Sequence, residues 1–300
     1  MCTCRGVPPV RKGVFAIALG AGFLCGAPAR ADFQAGLDAY HQRDYATAAQ
    51  EWRPIAERGD ANAEFNLGLL YASGEGVPRD YTQAADWYRK AAEQGVPAAE
   101  YNLGILYTQG QGIQRNRAEA ARWFKKAADA GIPEAAAALG DLYSSGDGLP
   151  KDLAQAGKWY GVAAEKGIPS AQFGLGLLDD LQQDYPAAID WYRKAAEAGY
   201  APAMTNLGVL YYNAQGEARD LIEAYAWLER AKEHGDARAA ELLKSTAERM
   251  SKKDISRAQQ LADEWEPSGQ QRQALDPKTL FLQPQAAPSP IPATAVGDGR

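Results

Sequence analysis

Two histidines, His41 and His234, are the only imidazoles in the chain, and they sit near opposite ends of its repetitive part. Acid–base work near neutral pH draws on imidazole first. A metal centre or a Ser-His-Asp nucleophile needs several such groups brought together. Neither histidine has neighbours at ligand spacing, so both read as surface residues, and no catalytic residue, metal ligand or cofactor is assigned. Three glycine-rich stretches, Gly74-Glu75-Gly76, Gly110-Gln111-Gly112 and Gly146-Asp147-Gly148, resemble phosphate cradles in composition. They lack the Lys-Ser/Thr that follows in a P-loop, and two of them hold an acidic residue, so they read as turns. Paired bases at Arg89-Lys90, Lys125-Lys126 and Arg193-Lys194 are interleaved with acids and read as a solvated outer face. Trp87, Trp123, Trp159, Trp191 and Trp227 offer ring faces for stacking on sugars, yet each falls at a core phase of its helix and reads as packing.

What orders these residues is a period of 36, shortened once. Leu67-Gly68 returns as Leu103-Gly104, Leu139-Gly140, Leu175-Gly176 and Leu207-Gly208, and Gly95 returns as Gly131, Gly167, Gly199 and Gly235. Self-similarity on this scale marks a solenoid, in which neighbouring units bury apolar faces that no unit can bury alone. Within residues 61–96, Ala63, Leu67, Leu70 and Tyr71 share one helical face, and Gly74 stops that helix. Asp80 with Gln83 forms a capping box, repeated by Asn116 with Glu119, Asp152 with Gln155, and Asp220 with Glu223. The second helix turns Ala84, Trp87, Tyr88, Ala91 and Ala92 inward. Pro97, Pro133 and Pro169 then open the next unit, where a missing amide hydrogen does little harm. The expected fold is all-α, an α-solenoid of stacked antiparallel helix pairs. Gly68 and its counterparts sit inside a helix at a cost of roughly 1 kcal/mol each. That repeated cost predicts a close helix crossing, with Ala84, Ala120, Ala156, Ala188 and Ala224 as the facing residues.

The ends differ from the middle. Residues 1–31 combine Arg5, Arg11 and Lys12 with an apolar stretch and the small-x-small sequence Ala29-Arg30-Ala31, a signal peptide cleaved after Ala31. All three cysteines (Cys2, Cys4, Cys25) fall inside it, so the expected mature chain has no disulfide. Cys25 is a poor lipidation site because Leu24 precedes it. Cleavage leaves 28 basic residues against 38 acidic ones. An acidic chain without a basic run repels phosphate backbones, which argues against nucleic acid as a partner. No later segment is apolar enough for an integral membrane helix. Residues 237–266 keep helical spacing, with Ser251 as a cap and Asp254 three positions on, and are expected to close the stack. Six prolines among residues 267–300 describe a disordered tail.

The run from Ala61 to Asp80, with Ala84, Trp87-Tyr88-Arg89-Lys90-Ala91-Ala92 and Gly95, resembles the Sel-one-like repeat (SLR) family, tetratricopeptide relatives with a longer inter-helix loop. The resemblance covers five units, 61–96, 97–132, 133–168, 169–200 and 201–236. Residues 32–60 resemble a sixth, degenerate unit. That unit and the fourth lack four loop residues, and the fourth carries Asp179 where its sisters have Tyr71, Tyr107, Tyr143 and Tyr211, so curvature near residue 180 is expected to depart from the rest. The family's architecture turns one side of each first helix toward a concave surface. Here that side carries Phe65 and Leu69, then Tyr101, Ile105 and Thr108, then Ala137, Asp141 and Ser144, then Phe173, Leu177 and Asp180, then Thr205, Val209 and Tyr212. The stripe is mostly apolar or aromatic with acidic spots and no base. It implies a groove for an apolar peptide or helix of another envelope protein. The expected function is therefore that of an exported, periplasmic, non-enzymatic scaffold, adaptor or regulator. Contact with the adjacent repeat is the competing account of Leu69, Ile105, Leu177 and Val209. Two rival readings stand beside it, a peptidoglycan- or glycan-binding module and a β-lactamase-like cell-wall hydrolase. The second is credited to cysteine-rich relatives whose disulfide cysteines this mature chain lacks.

Overall fold

The computed structural model describes residues 32–216 and 218–265. The signal peptide read over 1–31 and the tail read over 267–300 lie outside them. Among the described residues there are fourteen α-helices and no strand. Helices α1 (Phe33–His41) and α2 (Tyr45–Ala56) form an N-terminal pair. Five further pairs follow as units 1 to 5: α3 (Ala61–Ser73) with α4 (Tyr81–Glu93), α5 (Pro97–Gln109) with α6 (Arg117–Asp129), α7 (Pro133–Ser145) with α8 (Leu153–Ala164), α9 (Pro169–Leu181) with α10 (Tyr185–Glu197), and α11 (Ala201–Asn213) with α12 (Leu221–Glu233). Helices α13 (Ala239–Ala247) and α14 (Lys252–Asp263) close the stack. Up to α13, each helix packs on the one before it and the one after it; α12 then packs on both closing helices, which gives a solenoid.

Local chemistry sets the helix ends. Asp60, Asp80, Asn116, Asp152 and Asp220 each accept a backbone N–H from the first turn of the helix they precede. Ser251 does the same for α14, and its hydroxyl also donates to Asp254. Pro97, Pro133 and Pro169 occupy first-turn positions of α5, α7 and α9, where their missing donor is not needed. The stops at Gly74, Gly110 and Gly146 are left-handed, with φ of 76°, 73° and 74°.

The long loops also reach backward. A side chain at Gly76 would lie 2.2 Å from the Tyr45 carbonyl carbon at the start of α2, and one at Gly112 would lie 2.1 Å from that of Tyr81 at the start of α4. Side chains at Gly148 and Gly216 would likewise lie 2.5 and 2.8 Å from the Cβ atoms of Arg117 and Tyr185. Each long loop therefore seats on the first turn of the preceding unit's second helix. Unit 4 has only residues 182–184 between its helices. Nothing equivalent covers the start of α8, and Leu153 there stays 36% exposed.

The mid-helix glycines do mark a close crossing, but the alanines are not what crosses there. A Cβ at Gly68, Gly104, Gly140 or Gly176 would come within 2.5–2.7 Å of the ring of Tyr88, Phe124, Tyr160 or Tyr192, one turn beyond the expected alanine. At Gly208 the neighbours are Leu228 and the Ala224 carbonyl oxygen. Each glycine is a socket for a large side chain of its own unit. The alanines are themselves fully buried in the second helices.

Candidate partner-binding face

First helices of successive units touch directly where α7 meets α9 and where α11 meets α13. The side of the first helices that the family's architecture turns toward a concave surface is taken as the inner side. Along that side the candidate residues occupy unequal environments. Phe65 is buried, its ring 6.0 Å from Tyr88. Leu69, Tyr101 and Ile105 are half-buried, with Leu69 and Ile105 packed on core residues and Tyr101 5.8 Å from Phe124. Burial, reinforced by the charge of Glu134, pushes the Tyr101 phenol up to about 12. The Thr108 hydroxyl donates back to the Gly104 carbonyl at 2.9 Å, and Val209 is half-buried. Tyr212 is half-buried, with the Arg249 guanidinium of the closing pair 5.1 Å from its ring.

Units 3 and 4 are more open. Asp141 is exposed at one side and accepts the Tyr160 hydroxyl at 2.7 Å, while Ser144 lies 3.1 Å from the same hydroxyl. Partial desolvation raises the Asp141 carboxyl despite that bond, and burial followed by the Asp141 charge raises the Tyr160 phenol. Asp180 faces the Tyr192 hydroxyl at 3.4 Å. Phe173 lies 5.6 Å from Tyr192 and 5.4 Å from Tyr200. Leu177 is 43% exposed, and Leu181, one turn further on, is 65% exposed.

Leu181, Tyr160 and Tyr200 escaped the sequence-based reading. Leu181 had a visible signal, because it replaces the polar Ser73, Gln109, Ser145 and Asn213 of the other units. Tyr160 shares its unit position with core rings, and Asp141 and Ser144 beside it give its hydroxyl a task.

The remaining chemically suggestive residues serve packing. The paired bases are not simply solvated. Lys90, Lys126 and Lys194 lie 3.7, 4.0 and 3.9 Å from the ring centres of Trp87, Trp123 and Trp191 on their own helices. Arg53 and Arg193 reach the next unit, donating to the hydroxyls of Tyr71 and Tyr211 at 2.7 and 2.9 Å, and Arg89 is directed to Tyr107 in the same way. Trp87, Trp159 and Trp227 are buried, so their faces are closed to sugars. His41 is exposed, and His234 stands edge-on to Trp265 at 5.6 Å. Among the described residues no group of His, Cys, Asp and Glu is placed to hold a metal.

This geometry has close counterparts among solved structures. The antigen c5321 of uropathogenic Escherichia coli, described as displaying an SLR fold, is 32% identical over 77% of this chain, with a TM-score of 0.68. This chain spans about half (52%) of that protein's length. A Sel1 repeat protein from Oxalobacter formigenes is 29% identical, with 78% of this chain and all of the other covered, and a TM-score of 0.64. No curated protein matches the sequence. The Sel1 repeat model matches residues 61–96, 97–132, 133–168, 169–200 and 201–236, more than half of the chain, which therefore belongs to the Sel1 repeat family.

Proposed function

We propose that this chain is an exported, non-enzymatic scaffold or adaptor of the cell envelope, most naturally periplasmic, which holds a partner protein on the inner face of its solenoid. Repeats of this fold commonly serve as protein-interaction scaffolds. The observation that carries the reading is the pair Leu177 and Leu181, large apolar side chains left 43% and 65% exposed on a first helix. A soluble repeat has no packing reason to leave them in water, and contiguous exposed apolar surface marks interaction sites. Export is supported by the basic and apolar composition of residues 1–31. No described helix is long and apolar enough to cross a membrane.

The test pairs two variants of the full chain. Leu177→Ser with Leu181→Ser should abolish capture of a partner from an envelope extract while circular dichroism stays unchanged, because both side chains are already exposed. The outer-face pair Lys125→Glu with Lys126→Glu should still capture it. Equal capture by all three proteins would move the partner to another surface. N-terminal sequencing of the exported chain should begin at Asp32, and recovery of intact Met1 from the cytoplasm would refute export.

A further inference from the structure

The four large apolar side chains that stay exposed among the described residues, Leu153, Val162, Leu177 and Leu181, all belong to units 3 and 4. The same two units change the charge of the inner face. Helices α7 and α9 contain Glu134, Asp141, Asp179 and Asp180 and no Lys or Arg. Asp141 and Asp180 stand on the inner side, at unit positions that are apolar or uncharged in units 1, 2 and 5. Each faces a tyrosine hydroxyl through one oxygen, Asp141 Oδ1 from Tyr160 at 2.7 Å and Asp180 Oδ2 from Tyr192 at 3.4 Å. These contacts fix the carboxylates and leave the second oxygen of each without a hydrogen-bond donor among the described residues. The ring of Phe173 stands 5.6 Å from that of Tyr192, the partner of Asp180, and 5.4 Å from that of Tyr200.

Carboxylates with a free oxygen, beside aromatic faces, complement a guanidinium or ammonium group, and exposed leucines complement an apolar side chain. The solenoid already contains the cation-and-ring part of that arrangement, with the Arg249 guanidinium 5.1 Å from the inner-face ring of Tyr212. We propose that the inner face of units 3 and 4 docks a partner segment carrying Lys or Arg beside apolar side chains, the base meeting Asp141 and Asp180 and the apolar groups meeting Leu177 and Leu181. The proposal rests on the reading of the inner face as the partner-binding surface and names the chemistry of what binds there.

The test uses random twelve-residue peptides displayed on phage and selected against the full chain, followed by synthesis of the enriched sequences. Selected peptides should be enriched in Lys or Arg next to Leu, Ile or Phe. Asp141→Asn with Asp180→Asn keeps an oxygen for both tyrosine hydroxyls, so the fold is preserved, and should weaken binding about tenfold or more, as expected for hydrogen bonds to charged groups. That loss should shrink at high salt. Peptides that depend on Leu177 and Leu181 but carry no base, and ignore the Asn variants, would overturn the cationic partner and leave the inner-face reading standing. Peptides indifferent to both double variants, or no enrichment beside a tetratricopeptide control that yields binders, would overturn both. A dimer in sedimentation that Leu177→Ser with Leu181→Ser dissolves would give the surface to a second copy of this chain and overturn the proposal.

Discussion

Between units 4 and 5, Arg193 donates to Tyr211 at 2.9 Å, and Asn206 donates to the Tyr192 hydroxyl at 3.2 Å. Between units 3 and 4, the residues at the same four positions are Gly161, Asp179, Gly174 and Tyr160. The base and the tyrosine it would serve have vanished together. The amide has become a glycine, so the Tyr160 ring lies on the backbone, within 3 Å of where a Gly174 side chain would be, and its hydroxyl has turned to Asp141. The loop that seats on other second helices is missing here as well. Removing both members of a polar pair costs little, whereas removing one strands a buried group. At this junction the base–tyrosine clasp is lost as a matched pair, and the amide–tyrosine clasp loses its amide while Asp141 takes over the hydroxyl; the surface so released is the one that leaves leucines in water.

The largest break in that comparison should come from Gly174→Asn. It restores the residue found at the same position as Asn102 and Asn206, but the Tyr160 ring now fills the space. Overpacking should destabilise by about 1–3 kcal/mol, read as a lower denaturant midpoint at an unchanged slope. A raised midpoint would mean that the junctions are interchangeable. Next in size is Tyr211→Phe, which removes a hydroxyl that Arg193 uses and should cost about 1 kcal/mol in the same measurement. No change would mean that this clasp holds nothing. The smallest effect belongs to Asp179→Asn. Burial, and then the charge of Asp184, raises the Asp179 carboxyl above its ordinary 3.8. The folded state thus holds that proton more tightly than the unfolded chain, and the ionised form costs stability at neutral pH. The variant should melt higher than the parent at pH 7, with the gap closing as pH falls through the raised value and gone below about 3.8. A gap that widens in acid would reverse the assignment.

Much of this was legible in the sequence, because a repeat states its rules several times over. The period, the caps at Asp80 and its sisters, and the left-handed stops at Gly74 and Gly110 follow from spacing and backbone chemistry alone. The departure at Asp179 was also visible as a lone exception. The partner of Gly68 was not, because a helical wheel gives the face of a residue but not which turn of the opposite helix reaches it. Phe65 and Leu177 show the same limit. Their unit positions are one turn apart on the same side of the first helix, α3 for Phe65 and α9 for Leu177, yet one is covered by Tyr88 and the other is open. Only the tilt of the second helix and the size of its side chains separate them. The bases of the outer face were misjudged because a lysine's reach over the tryptophan three residues earlier depends on its rotamer.

The loops that sit on the first turn of the preceding unit have a consequence for the order in which the stack closes. In a stack that folds from its N-terminal end, α4 is in place before the loop containing Gly112, so unit 1 stands for a time with the start of its second helix unguarded. It is finished only when the next unit has folded through its own loop. Each pair therefore matures one step behind the newest, and the growing stack carries a single unsealed unit at its trailing edge. Unit 3 escapes this queue. No loop is ever made for it, so it completes its contacts as soon as α9 is in place, and Leu153 begins and ends its life facing water.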